Sequence, residues 1–66
     1  MLTVDNITRK HVNALRAEAL QAEECDYDLL DVCDLAADSW LIGKSKERTS
    51  ALQKCCDLLN ARQQVK

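Results

Sequence analysis

The chain has 66 residues, of which 47% are hydrophobic and 30% are charged, with one glycine, no proline and a formal net charge of −2. This composition argues against a disordered chain and against an all-β fold, which needs more turn residues. A chain of this length forms one domain, residues 1–66, whose small core gives it only modest stability by itself.

The first helical pattern begins after a short N-terminal segment. We predict that residues 1–7 form a flexible or extended arm. Thr8 is a favourable N-cap, and Ile7 can pack against Val12 four residues beyond the cap, as in a hydrophobic staple. Apolar residues at helical spacing then predict a first helix over residues 9–23.

The segment from Asp26 to Gly43 contains the only tryptophan and the only glycine of the chain. Its apolar residues and its aspartates form two stripes, which fall on opposite faces of a helix. The apolar stripe consists of Leu29, Cys33, Ala36 and Trp40, and the acidic stripe of Asp31, Asp34 and Asp38. Asp26 can cap this helix, and Gly43 supplies the left-handed conformation that commonly ends one, so the second helix is predicted over residues 26–42.

A third helix is predicted over residues 46–63, with Ser45 as its cap and Glu47 in its first turn. The predicted fold class is therefore all-α, a three-helix bundle that is complete in one chain or completed by dimerisation. Trp40 is expected to be the main packing residue. The predicted core consists of Val12, Leu15, Leu29, Cys33, Ala36, Trp40, Leu52, Cys55 and Leu59.

Charge is distributed unevenly along the chain. Residues 17–43 contain eight acidic residues and no lysine or arginine, whereas both flanks are basic. We define the acidic face as the stripe Asp31, Asp34 and Asp38 together with the neighbouring Glu23, Glu24 and Asp28. Such a face attracts a basic surface and can stand in for nucleic-acid phosphates. The alternative is a solvated face that only keeps the protein soluble.

The four cysteines and His11 do not form a recognisable site. No cysteine pair has the spacing of a structural zinc site, and no Gly-rich loop or complete catalytic constellation is present, so we predict neither a metal, nor a cofactor, nor an enzyme. Cys33 and Cys55 are expected to pack as small hydrophobic residues. No apolar run approaches the roughly 20 residues of a membrane span, and the N-terminus lacks the apolar centre of a signal peptide. We therefore predict a cytoplasmic protein with reduced thiols.

Two other functions fit parts of the sequence. The protein could be a small dimeric transcription regulator whose third helix binds the major groove of DNA. The basic residues available for this are Lys44, Lys46, Arg48 and Lys54. The acidic second helix and a pI near 5.2 argue against this small transcription regulator. The second alternative is a metal-stabilised structural module.

Several short segments resemble a pattern in small uncharacterised proteins of bacteriophages and prophages. The resemblance is carried by Ile7 to Ala19, Asp26, Cys33 to Ala36, Ala51 to Cys55, and Ala61 with Arg62. Here Glu24-Cys25-Asp26 stands where that pattern has a Gly-Asp turn, and the link to the third helix is longer. The resemblance includes no catalytic motif, and it implies an origin in a phage or mobile element and a setting in the host cytoplasm.

Small phage proteins without assigned chemistry often bind and block a host protein, and anti-CRISPR proteins are the best-known class. By this analogy we expect a non-enzymatic, homodimeric interaction module that inhibits a host protein through the acidic face. The expected partner has a basic surface, for example one that binds nucleic acid.

Overall fold

The structure is a computed structural model that describes the backbone of residues 1–64 and the side chains of residues 1–62. Helix α1 spans Arg9–Gln21, α2 spans Tyr27–Leu41 and α3 spans Lys46–Gln64. Helix α2 packs against both other helices, whereas α1 and α3 make little direct contact. The predicted all-α, three-helix fold is thus confirmed. Within residues 1–64, no helix is both long enough and apolar enough to cross a membrane.

Helix α1 begins where Thr8 and His11 contact each other. The Thr8 N–H donates a hydrogen bond to Nδ1 of His11 over 3.0 Å, and the Thr8 hydroxyl lies 2.9 Å from the same nitrogen. His11 thus occupies the position that Glu or Gln usually holds in a capping box. Thr8 was the predicted cap, but this role of His11 was not predicted. The helix ends at Gln21, two residues before the predicted end, because Ala22 has an extended backbone with ψ of 148°.

Helix α2 begins and ends at the predicted signals. The Asp26 carboxylate caps it by accepting a 3.0 Å hydrogen bond from the Leu29 N–H. Asp28 lies in the first turn, where a negative charge interacts favourably with the helix dipole. After α2 ends at Leu41, Gly43 adopts a φ of +112°, a conformation that L side chains rarely adopt.

Helix α3 begins at the cap predicted at Ser45. The Arg48 N–H donates to the Ser45 hydroxyl over 3.2 Å, and the Thr49 N–H donates to the Ser45 carbonyl over 2.8 Å. The Arg48 guanidinium also donates to the Gly43 carbonyl over 3.0 Å. One arginine therefore ties the first turn of α3 to the end of the preceding link.

The core lies where α2 meets its two neighbours, and it is built mainly from small and medium side chains. Its buried residues are Ile7, Val12, Leu15, Cys33, Ala36, Ala51, Leu52, Cys55 and Cys56. Ile7 and Val12 both belong to this cluster, as a hydrophobic staple requires. The predicted core residues Leu29, Trp40 and Leu59 are only partly buried and pack against its edge. Trp40 thus packs against the core from its edge, whereas the largest fully buried side chains are those of Leu15 and Leu52.

The first seven residues form a docked turn and not the flexible or extended arm that was predicted. The N–H groups of Asn6 and Ile7 both donate to the Thr3 carbonyl, which closes the turn. The Leu2 N–H donates to Oδ1 of Asn60 over 2.8 Å, and Nδ2 of Asn60 donates to the Leu2 carbonyl over 2.9 Å. Because these bonds reach α3, the turn bridges α1 and α3, which otherwise make little contact.

Replacing Asn60 by alanine tests this docking. Both hydrogen bonds to Leu2 would be lost at a partly buried site, so we expect the free energy of unfolding to fall by about 1–3 kcal/mol. Urea unfolding followed by circular dichroism measures the change.

The matched control is Asn60→Asp. One carboxylate oxygen can still accept from the Leu2 N–H, but the other replaces the donor and repels the Leu2 carbonyl oxygen, so we expect a loss of stability at least as large as that of Asn60→Ala. Equal stability of the wild type and both variants would contradict the docked turn.

Candidate interaction surface

The register of α2 separates the aspartates from the core. Cys33 and Ala36 are buried on the inner side of the helix, while Asp31 and Asp34 are exposed and Asp38 is partly exposed. The three aspartates are spaced three and four residues apart, which keeps them on one side of the helix. At 1.5 Å per residue they span about 10 Å along the helix axis. The structure therefore brings the acidic stripe together on an outer surface.

One of these aspartates has a partner within the chain. Oδ1 of Asp34 lies 3.6 Å from Nε of Arg16 on α1, and more than half of each side chain is exposed. Exposed pairs of this kind contribute about 0–1 kcal/mol, so Arg16 only weakly offsets the negative charge. Asp31 and Asp38 form no ion pair with any side chain among residues 1–62. The stripe thus keeps most of its negative field.

The other predicted acidic residues lie at different places around α2. Glu23 and Glu24 are exposed in the turn between α1 and α2. Asp28 lies on the α3 side, where it lines a groove between α2 and α3. Glu18 of α1, which was not part of the predicted acidic face, forms an ion pair with Arg62 of α3. Glu23 and Glu24 extend the field at one end of the stripe, whereas Asp28 is directed to a separate surface.

Two exposed apolar residues continue the acidic stripe, and they were not predicted as part of it. Tyr27 and Leu41 follow the same three-and-four-residue spacing at its two ends, and they are 73% and 72% exposed. Both could have been identified from the sequence, because Tyr27 lies four residues before Asp31 and Leu41 lies three residues after Asp38. The surface is therefore acidic in the middle and apolar at both ends, which suits a protein partner better than a simple ion.

The charges of the stripe oppose the stability of α2. Asp38 lies in the last turn, where a negative charge meets the negative end of the helix dipole, and no basic residue is present in that turn. Asp34 and Asp38 are also four residues apart, a spacing at which like charges repel by a few tenths of a kcal/mol. Apart from the exposed Asp34–Arg16 pair, the stripe therefore does not help to hold the fold.

Three of the cysteines are buried thiols. Cys33, Cys55 and Cys56 have no exposed surface, and Cys25 is partly exposed. Burial raises the pKa of the Cys55 thiol to about 12, and the neighbouring Cys33 adds to this effect. Burial likewise raises the pKa of Cys33 and of Cys56. These thiols therefore stay protonated at neutral pH, which makes them poor nucleophiles and poor metal ligands.

The structure places His11 at a helix cap. Nδ1 of His11 is engaged with Thr8 at the start of α1. Within the described residues, no three His, Cys, Asp or Glu side chains lie close enough together to hold a metal ion.

The basic residues of α3 do not form one continuous patch. Arg48 donates to the Gly43 carbonyl, while Lys46 and Lys54 line the groove beside α2 together with Glu47. Affinity for DNA comes largely from basic residues that neutralise phosphates, and an acid among them such as Glu47 opposes this. The geometry thus gives less support to DNA binding through α3 than to protein binding through the acidic stripe.

Comparisons with known proteins provide no relative for this chain. No family model matches the sequence, and no curated protein and no solved structure matches it. A function therefore has to be inferred from the chemistry of the chain's own surfaces.

The raised pKa of Cys55 predicts a loss of stability at alkaline pH. Above pH 9 the unfolded chain releases the thiol proton while the folded chain retains it, so the unfolding free energy falls as the pH rises towards 12. One thiol contributes up to about 1.4 kcal/mol per pH unit to this slope. Urea unfolding of the wild type and of Cys55→Ala over this pH range measures the difference, and we expect a shallower slope for the variant.

The control is Val12→Ala, which removes buried apolar volume but no thiol. It should lower the stability while leaving the dependence on pH as in the wild type. The same slope for Cys55→Ala and the wild type would show that Cys55 does not titrate in this way.

Proposed function

We propose that this chain is a non-enzymatic interaction module that binds a partner protein through the acidic face of α2. The partner carries a basic surface. The observation that supports this proposal best is the exposed stripe of Asp31, Asp34 and Asp38, in which only Asp34 has an ion pair among the described side chains.

The energetics of the stripe favour a role in binding. The three carboxylates repel one another, and Asp38 opposes the helix dipole, so these residues weaken the helix that carries them. A basic partner surface would remove both penalties when it binds, because it supplies the missing positive charge. Binding would therefore be favoured by charges that are unfavourable in the free protein.

The apolar ends of the stripe supply the contacts that charge alone lacks. Tyr27 and Leu41 are largely exposed, and burying them in an interface would remove apolar surface from water. Aromatic residues are frequent among the residues that dominate binding energies. Tyr27 and Leu41 would anchor the partner while the aspartates set its orientation and charge.

We further propose that the partner is a host protein whose activity the chain inhibits. The resemblance to small phage proteins and the cytoplasmic setting that it implies support this reading. Three carboxylates spread over about 10 Å of a helix could occupy a basic groove that otherwise holds nucleic-acid phosphates. Occupying that groove would exclude the nucleic acid, which is a simple mechanism of inhibition.

The triple variant Asp31→Lys, Asp34→Lys, Asp38→Lys tests the binding surface. Used as bait in a bacterial lysate at low salt, the wild type should capture a basic protein, which high salt or the polyanion heparin releases. The triple variant should bind the captured protein at least about tenfold more weakly, because charge reversal turns attraction into repulsion. Titration of the purified partner against each bait measures the change.

Single variants provide the matched control. Asp31→Lys and Asp5→Lys change the net charge equally, but Asp5 lies in the N-terminal turn, away from the stripe. We expect only Asp31→Lys to weaken binding. If the triple variant bound the partner as tightly as the wild type, or if both single variants had the same effect, the acidic stripe would not be the binding surface.

A further inference from the structure

A second surface lies on the other side of α2, where a shallow groove runs along α3. It consists of two adjoining hollows of about 420 and 580 Å³, both lined by Val32 and Lys54. Leu35 and Leu58 form part of its walls and are 40% and 43% exposed. This apolar strip is separate from the acidic stripe, which lies on the outer side of α2.

The charges along the α2–α3 groove are divided between its two helices. The charged residues on the α2 side are all acidic, namely Asp28 and the cap residue Asp26, and all the cations of the groove come from α3. Those cations are Lys46, Lys54 and Arg62, although α3 also contributes Glu47 and Asp57. Asp57 accepts a hydrogen bond from Gln53, and Arg62 is paired with Glu18. Asp28 and Lys54 form no ion pair with a side chain among residues 1–62.

We propose that a second copy of this chain occupies the α2–α3 groove and that the two copies form a twofold-symmetric dimer. With the twofold axis parallel to the helices, α2 of each copy lies opposite α3 of the other. The acidic side of the groove then faces the basic side of its mate at two equivalent places. Because α2 and α3 run in opposite directions, the four facing helices form an antiparallel bundle.

The apolar residues of the α2–α3 groove fit this arrangement as well as the charges do. The twofold rotation leaves the position of each residue along the helix axis unchanged. Leu35 of one copy therefore faces the small side chains of Ser50 and Ala51 of the other. Leu58 in turn faces Leu29 and Val32 of the other copy. Two half-exposed leucines are thus covered in each copy. Lys54 of one copy lies about one helical turn along the axis from Asp28 of the other, a gap that the long lysine side chain spans, and this pair occurs twice. The acidic stripes remain outside, one on each copy.

A charge-swap experiment tests the dimer. Sedimentation equilibrium of the wild type over a wide range of concentrations should give a monomer–dimer equilibrium. Lys54→Glu places two acids opposite each other at both symmetric contacts, and Asp28→Lys places two bases there. Each single variant should raise the dissociation constant on the order of tenfold or more. The double variant Asp28→Lys, Lys54→Glu restores opposite charges and should return it to near the wild-type value.

An apolar pair of variants provides an independent readout. Leu35→Lys should dissociate the dimer, whereas Leu41→Lys, on the side of α2 that faces α1, should leave it intact. Both residues are at least 40% exposed, so each variant should fold, and circular dichroism checks this. A wild type that stays monomeric at all concentrations, a double swap that fails to restore association, or equal effects of Leu35→Lys and Leu41→Lys would each overturn the proposal.

Discussion

The whole structure depends on the burial of two small side chains, Cys33 and Ala36, along one edge of α2. Both have no exposed surface, and they lie in the cluster to which all three helices contribute. Small residues let helix backbones approach closely, so one edge of α2 can serve both α1 and α3. The direct contact between α1 and α3 is small, and the N-terminal turn spans that gap through Asn60. Helix α2 is thus the element through which the others are held together.

The use of one edge of α2 for the core determines what its other sides can do. The outer side carries the acidic stripe, and the side beside α3 carries the α2–α3 groove with Leu35 and Val32. Charges on the outer side cost the helix some stability, and the core on the inner edge compensates for this. The buried thiols contribute to that core as small apolar groups, since burial keeps their pKa high and their protons bound.

The sequence predicted the parts of the fold that depend on local chemistry. Asp26, Ser45 and Gly43 act within a few residues of their position, so caps and stops located the helices to within about two residues. The apolar stripes identified most of the core, because the spacing of residues along one helix also depends only on the local sequence. The docked N-terminal turn was missed because its hydrogen bonds join Leu2 to Asn60, which are far apart in sequence. The position of Trp40 at the edge of the core was not predicted either, because it depends on how the smaller residues pack at the centre.

The candidate surface was predicted only in part. The acidic stripe followed from the register of α2, and Tyr27 and Leu41 could have been found in the same way. The ion pair between Asp34 and Arg16 could not, because it requires knowing that α1 lies beside that side of α2. The assignment of Asp28 to the α2–α3 groove likewise needed the position of α3. The spacing of residues along the sequence identifies which residues share a helix face. Which residues that face contacts depends on how the neighbouring helices pack.

Asp31 and Asp38 on the outer side of α2 do not help to hold the fold, and the stability of a charge-neutral variant tests this most directly. Urea unfolding of Asp31→Asn, Asp38→Asn compares this variant with the wild type at low salt. Because two repelling carboxylates are removed and one of them opposes the helix dipole, the free energy of unfolding should stay the same or rise by about 0.3–1 kcal/mol. A fall of more than about 1 kcal/mol would mean that these aspartates stabilise the structure, and it would contradict the account.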